Sequence, residues 1–249
     1  MGLVETEAIV LRTYNFADAD KIVICLSRKA GVIRAVARGS RRLKSRFGAG
    51  LEPFTLLSLS YYEKEGRELV TLRHLEIIIS YFNLCSDADS ISSLARMAEL
   101  LIEFLPPHEP DERVFRMMCA CLEAASRSPK SLAHLVRYFE VWLLRLSGFL
   151  PDMVACSICG SRLHDSKTVS TDAEGRLRCQ QCSQGTGMRL TEEVLGHLRA
   201  IRRLSPEAYV LEGLRASAES CKDLDRFTSV YIRRALEREL RAKAITFEE

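Results

Sequence analysis

Two pairs of cysteines, each with two residues between its members, constrain this chain more than any other feature of its sequence. Cys156 and Cys159 form one pair, and Cys179 and Cys182 form the other after 19 intervening residues. A CxxC turn supplies two thiolates to a tetrahedral ion, and two such turns at this spacing are typical of structural zinc sites. The segment between them has few large apolar residues, so we expect it to need a metal to fold. The sequence therefore predicts one Zn²⁺ per chain, bound by all four cysteines.

The same cysteines argue against chemistry at the metal. A catalytic zinc keeps one coordination position open for water, whereas four thiolates fill all four. His164 is a surplus ligand candidate that we expect in an exposed loop. A redox CxxC would stand alone beside a βαβ pattern, which this sequence lacks. The other five cysteines fall in apolar patterns and are expected to be small buried residues: Cys25, Cys85, Cys119, Cys121 and Cys221.

Residues 5–78 have the pattern of β-strands. Stretches such as "TEAIVLRTY", "KIVICLS" and "PFTLLSLSYY" are rich in β-branched and aromatic residues, and turn-forming residues separate them. The charged "EKEGR", with Gly66, is predicted to be a hairpin turn. About five antiparallel strands in so short a segment favour a small closed barrel. The OB-fold is the preferred interpretation, and a five-stranded SH3-like barrel is the alternative.

After Asn83 the apolar residues recur with the period of an α-helix. Pro106 and Pro107 are predicted to end the first helix, Gly148 to stop a later one, and Thr191 to cap another. The last helix is predicted over about 223–242. We therefore predict an α+β multidomain protein, with an OB-fold barrel followed by a helical domain that carries an inserted zinc module. The domain limits are 1–82 for the barrel, 83–152 and 189–249 for the helical domain, and 153–188 for the zinc module.

A basic stretch lies within the predicted barrel. Nine Lys or Arg and no Asp or Glu occur from Lys21 to Leu51, although the net charge of the chain is only +3. In "ARGSRRLKSRFGAG", residues 37–50, small residues would let the backbone approach phosphates while cations neutralise them. The predicted nucleic-acid contacts are Arg34, Arg38, Arg41, Arg42, Lys44 and Arg46, and the aromatics that could stack on unpaired bases are Tyr14, Phe16, Phe47, Tyr61 and Tyr62. A solvated basic loop without a ligand is the alternative.

No catalytic signature emerges from the sequence. It contains no GxxxxGK[ST], GxGxxG, HExxH or GxSxG, and its five histidines are isolated. We therefore expect a binding protein, with a zinc-dependent or thiol enzyme as a rival. No uncharged run is long enough to span a membrane, and no secretory signal opens the chain, so a cytoplasmic location is expected.

Three segments together resemble the RecO family of recombination mediators over nearly the whole chain. They are the stretch from "IVLRTYNFADADK" to "LEPFTLLSLSYY", the stretch "RYFEVWLLRLSGFLPDMVACSICG", and "CQQC". The C-terminal stretch of this sequence, "ALERELRAKAITFEE", differs from the basic, serine-containing C-terminal stretch typical of the family. The resemblance implies an OB-fold, a helical domain with a zinc module, and association with the nucleoid.

The resemblance also implies a function and partners. Proteins of this family bind single- and double-stranded DNA, anneal complementary strands, and act with RecR and often RecF to load RecA onto DNA coated by single-strand-binding protein (SSB). In "RYFEVWLL", Arg137 matches the basic position expected to contact the acidic, hydrophobic SSB tail. That arginine could instead only satisfy Glu140 or a helix end. An RNA-binding OB-fold protein with a structural zinc is the runner-up, since backbone and stacking contacts serve both nucleic acids.

Overall fold

The computed structural model describes residues 2–63, 69–163, 166, 168–183, 185, 187–213 and 215–236. Two compact units make up the chain, Met1–Pro129 and Lys130–Glu249. The first unit contains the barrel together with the first two helices, and the second contains the remaining helices and the cysteine segment. The predicted limits at residues 82, 152 and 188 stay predictions.

Five strands form a closed barrel at the start of the first unit. They are β1 (Gly2–Phe16), β2 (Asp20–Ser27), β3 (Gly31–Ala37), β4 (Thr55–Glu63) and β5 (Leu69–Ser80). Their order around the barrel is β1-β2-β3-β5-β4, and β1 closes the barrel by antiparallel pairing with β4. This order is that of the OB-fold and not of an SH3-like barrel, so the preferred prediction is confirmed.

One pairing differs from the all-antiparallel sheet that the sequence predicted. Residues Arg34–Val36 of β3 pair in parallel with Leu69–Thr71 of β5. The segment between β3 and β4 allows this, because it crosses one end of the barrel and lets β5 meet β3 from the other side. The predicted "EKEGR" turn falls mostly on residues 64–68, which lie outside the described residues.

Side chains alternate between the inside and the outside of the barrel along each strand, and the inward ones fill its core. The inward residues are aliphatic and small, and Phe47 and Leu51 add to them from the segment between β3 and β4. Gly50 is buried against Leu75, where a Cβ would overlap that side chain. The basic segment is therefore anchored in the core at its C-terminal end, and its position is fixed by packing.

Two helices complete the first unit, α1 (Ala88–Phe104) and α2 (Glu112–Arg127). The side chain of Asp87 accepts a hydrogen bond from the N–H of Ser90 at the start of α1, and Asp111 caps α2 in the same way. Helix α1 ends just before Pro106 and Pro107, as predicted.

The described residues of the second unit form four α-helices and a small sheet. Its elements are α3 (Leu132–Leu146), β6 (Val169–Thr171), β7 (Leu177–Cys179), β8 (Arg189–Leu190), α4 (Glu192–Arg203), α5 (Pro206–Gly213) and α6 (Ala218–Leu236). Thr191 caps α4, and Gly148 follows α3 with a φ of +78°, as both residue types predicted. Helix α6 begins five residues before the predicted start, and residues 237–249 lie outside the described residues. Among the described helices, none has the length and apolar character that crossing a bilayer requires.

Candidate nucleic-acid interface and metal centre

The basic loop, defined here as residues Arg38–Arg46, is folded into consecutive turns by its own backbone hydrogen bonds. Within it, the N–H of Arg42 donates to the carbonyl of Gly39 at 3.1 Å, and the N–H of Ser45 donates to the carbonyl of Arg42 at 3.0 Å. These consecutive turns leave few backbone groups for strand pairing, which explains why β3 ends at Ala37. At the far end, Phe47 is buried in the barrel core.

The turn between β1 and β2 fixes the other side of the basic loop. The N–H of Gly39 donates to Oδ1 of Asp20 at 2.7 Å, and the N–H of Arg41 donates to the carbonyl of Ala19 at 3.0 Å. The guanidinium of Arg41 also donates to the carbonyls of Ala17 and Asp18, at 3.4 and 3.2 Å. Two loops that are distant in sequence therefore form one surface.

All six predicted cations are exposed. They are Arg34 on β3, and Arg38, Arg41, Arg42, Lys44 and Arg46 in the basic loop. None of the six forms an ion pair with a carboxylate in the part of the chain that the structure describes. Uncompensated cations grouped in this way give a strongly positive local potential, which suits a polyanion.

The five predicted stacking aromatics separate into three groups by burial. Phe47 and Tyr61 are buried in the barrel core and have no face available to a ligand. Tyr62 is partly buried, with the guanidinium of Arg73 over its ring at 5.6 Å from the centroid. Tyr14 and Phe16 are exposed, and they lie at the end of β1 that precedes the turn in contact with the basic loop. Strand alternation alone could not predict which of the five aromatic rings are exposed, because it does not reveal which face of a strand is covered.

The four cysteines of the predicted metal centre lie together, as the sequence indicated. Their sulfur atoms all lie within 4.8 Å of one another, and the Sγ atoms of Cys159 and Cys179 are 3.8 Å apart. Two thiolates on a tetrahedral zinc with Zn–S bonds of about 2.3 Å are about 3.8 Å apart. The donor set and its spacing therefore fit a metal ion. His164 lies outside the described residues.

Backbone N–H groups point at the sulfurs from both turns. Burial raises the pKa of the Cys156 thiol, but hydrogen bonds from the N–H groups of Cys159, Cys179 and Ile158 outweigh it and lower that pKa to about 6. Hydrogen bonding to Cys159 and Cys179 raises the pKa of the Cys182 thiol to about 12. Gly160, with a φ of +72°, lets the first turn curl back on itself. Cys156 is thus favoured as the thiolate, the form that metals bind.

Arg137 lies on α3 in the interior of the second unit and is only 1% exposed. Its Nη1 is 2.7 Å from a carboxylate oxygen of Glu140 and also donates to Asp225 of α6. The hydroxyl of Thr228 donates to the same Glu140 oxygen at 2.6 Å. The alternative in which this arginine satisfies Glu140 is thus the arrangement found. A contact with the SSB tail stays a prediction, and it would require the guanidinium to leave this buried cluster.

Two residues beside the basic loop were not singled out from the sequence. Asp20 anchors the loop through Gly39, and Arg12 lies on β1 directly opposite Ile24, which is itself opposite Arg34. Both residues lie outside the stretch from Lys21 to Leu51. A hydrogen bond reveals the role of Asp20, and the strand register aligns Arg12 with Arg34.

Comparison with known proteins gives consistent matches along the chain. The family model "Recombination protein O N terminal" matches residues 1–81, and "Recombination protein O C terminal" matches residues 85–244. The DNA repair protein RecO of Koribacter versatilis is 32% identical over 96% of this chain and 96% of its own length. The RecO protein of Symbiobacterium thermophilum is 33% identical over 98% and 96%, and that of an Anaeromyxobacter species is 33% identical over 82% and 80%.

Proposed function

We propose that this chain, which belongs to the RecO family of DNA repair proteins, is a mediator of recombination that binds single- and double-stranded DNA and anneals complementary strands. With RecR and RecF it would help RecA to load onto DNA coated with SSB. The observation that carries this proposal is the group of six exposed cations on and beside the basic loop, which form no ion pair with any carboxylate among the described residues.

The mechanism at this surface is electrostatic. Lys and Arg side chains neutralise phosphates and release the counterions condensed on DNA, which supplies affinity without base specificity. Annealing brings two polyanions together, so a protein that neutralises one strand lowers its repulsion of the second. Since the cations need only be positioned, this step requires no ATP and no catalytic residue, and we propose no enzymatic activity.

The cysteine cluster has a structural part in this proposal. Cys156, Cys159, Cys179 and Cys182 would hold one Zn²⁺. When bound, the ion would supply a cross-link between the two turns, and it would leave no coordination position for a substrate. A zinc-dependent or thiol enzyme is the rival, and it would require a reactive thiol. One zinc per chain with four unreactive thiols would exclude that rival.

The test is a salt titration of binding to a single-stranded oligonucleotide. If the protein contacts about five phosphates of a single strand, the slope of log K against log [salt], where K is the association constant, should be about −3.5. The fourfold variant Arg38→Ala, Arg41→Ala, Arg42→Ala, Lys44→Ala should lose binding while its fold and metal content stay unchanged. A matched control removes four exposed cations of the second unit: Lys130→Ala, Arg203→Ala, Lys222→Ala and Arg226→Ala.

Two results would overturn the electrostatic proposal. One is an affinity that does not change with salt, and the other is equal binding by the loop variant and the control. A second experiment tests whether the ligand is DNA or RNA. It compares the rate at which the protein anneals SSB-coated DNA strands with the rate for RNA strands of matching sequence. Activity on RNA alone would favour the RNA-binding OB-fold protein instead.

A further inference from the structure

The outer face of β1, β2 and β3 continues from the basic loop, and the strand register defines its composition. Arg12, Ile24 and Arg34 lie opposite one another in one cross-strand row. Directly paired residues have side chains on the same face of a sheet. The neighbouring inward residues Val23 and Ala35 belong to the barrel core, so this row points outward.

The next two rows along β1 place aromatic rings on that outer face. Tyr14 lies opposite Ile22, and Phe16 lies opposite Asp20, whose carboxylate anchors the basic loop. Tyr14 is 43% exposed and Phe16 is 42% exposed. Neither ring is paired with another ring or with a cation among the described residues. Both therefore have surface free for a ligand beside the cations.

The spacing of these rings discriminates between forms of nucleic acid. Positions two residues apart on a strand are separated by about 6.7 Å, which is twice the rise of about 3.4 Å between successive bases in B-DNA. Two rings at this separation each match one base of an extended strand. The bases of a duplex are stacked and paired, so their faces are closed to side chains.

We propose that Tyr14 and Phe16 stack on two unpaired bases of a single strand, while Arg12 and Arg34 hold its backbone in the next row. This inference rests on the proposed function, because it extends the same DNA-binding surface beyond the basic loop. It assigns selectivity for single strands to the aromatic rows and affinity for any nucleic acid to the loop. Duplex DNA would engage the loop cations and gain nothing from the rings.

The test compares the double variant Tyr14→Ala, Phe16→Ala with the control Phe82→Ala. Phe82 is 48% exposed and lies in a 3-10 helix after β5, so the control removes a ring of similar exposure from outside the sheet face. Three probes of equal length are used: a single-stranded oligonucleotide, the same backbone with abasic sites, and a duplex. Stacking of one base on an aromatic ring corresponds to about a tenfold change in affinity.

The expected result is specific to the single strand that carries bases. The double variant should bind it about a hundredfold more weakly than the wild type, and should bind the abasic strand and the duplex with unchanged affinity. Tyr14→Phe should retain the affinity of the wild type, and Tyr14→Leu, which keeps apolar area without a π-face, should lose about tenfold.

Equal loss on all three probes, or no loss on the single strand, would overturn the inference. Such a failure is distinguishable from failure of the proposed function. If only the stacking inference fails, the wild type still binds all three probes through the loop, and the fourfold loop variant still loses that binding. If the proposed function fails, the wild type binds none of the probes in a salt-dependent way.

Discussion

The N–H of Gly39 donates a 2.7 Å hydrogen bond to Oδ1 of Asp20, which joins the start of the basic loop to the first residue of β2. Asp20 therefore has an anchoring role, although its negative charge opposes the binding of DNA. The hydrogen bond and the negative charge of Asp20 affect the affinity for DNA in opposite directions, and two substitutions of Asp20 distinguish the two effects.

Asp20→Asn keeps an oxygen acceptor and removes the negative charge, so it should bind DNA more tightly than the wild type. Asp20→Ala removes the charge and the anchor together, so the loop loses a bond to its backbone and should bind more weakly than in the Asn variant. Fluorescence anisotropy with one oligonucleotide at fixed salt measures both. Equal affinities of the Asn and Ala variants would show that the hydrogen bond has no part in positioning the loop.

Cys156→Ser should abolish metal binding and destabilise the second unit, because the segment between the two CxxC turns depends on the ion for its fold. Metal analysis and thermal unfolding, with and without a chelator, measure both effects. Cys85→Ser, at a partly buried cysteine outside the cluster, is the control and should retain one metal ion. A Cys156→Ser protein with an unchanged melting temperature would contradict the structural role of the metal.

Arg137→Met should destabilise the protein by about 3–5 kcal/mol, because it leaves the buried carboxylate of Glu140 without its cation. Arg145→Met on the same helix is the control. Its guanidinium is exposed, 4.7 Å from the centroid of Trp142, and its loss should cost about 1 kcal/mol or less. Urea denaturation gives both values, and similar stabilities of the two variants would argue against a stabilising ion-pair cluster.

Gly31→Ala should be strongly destabilising, since Gly31 has a φ of +60° and a Cβ there would overlap the carbonyl oxygen of Glu109. Gly48→Ala provides the matched comparison. It shares a positive φ of +49° but has open space around the Cβ position, so only backbone strain of about 1–2 kcal/mol is expected. The difference between the unfolding free energies of the two variants measures the cost of the steric overlap with Glu109. A difference of zero would show that the overlap has no cost.

Stability should fall as the pH drops below about 6.5. Burial lowers the pKa of His197 and of His134, and repulsion between the two rings lowers the pKa of His134 further. Tyr209 and Ser220 face the two ring nitrogens of His197, while the charges of Glu193 and Glu212 act in the opposite direction. Because the folded pKa lies below the unfolded one, the unfolded chain takes up protons first as the pH falls, which reduces the free energy of unfolding.

Comparison of His197→Gln with the wild type at pH 7.5 and 5.5 tests this dependence. The variant should lose less stability over that interval, whereas His74→Gln, at an exposed histidine, should behave as the wild type does. An identical pH dependence in all three proteins would exclude His197 as the source.

The sequence by itself determined the local features of this protein. Alternating residues specified strands, the 3.6-residue period specified helices, and Thr191 and Gly148 marked helix ends, because each depends on neighbouring residues only. The two CxxC pairs likewise predicted a cluster of four thiols, since each turn contains its own geometry. The group of basic residues was also readable, since charge that lacks nearby partners in sequence stays at the surface.

The tertiary structure decided every feature that depends on strand register or on what covers a face. Parallel pairing of β3 with β5 and anchoring of the basic loop by Asp20 join residues that are distant in sequence. Tyr14 and Tyr61 have similar strand contexts, yet the barrel buries the second and leaves the first exposed. Arg137 is neutralised by Asp225, which lies 88 residues away. Periodicity specifies that a side chain alternates between two faces, and only the packing of the whole unit specifies which face remains open to a ligand.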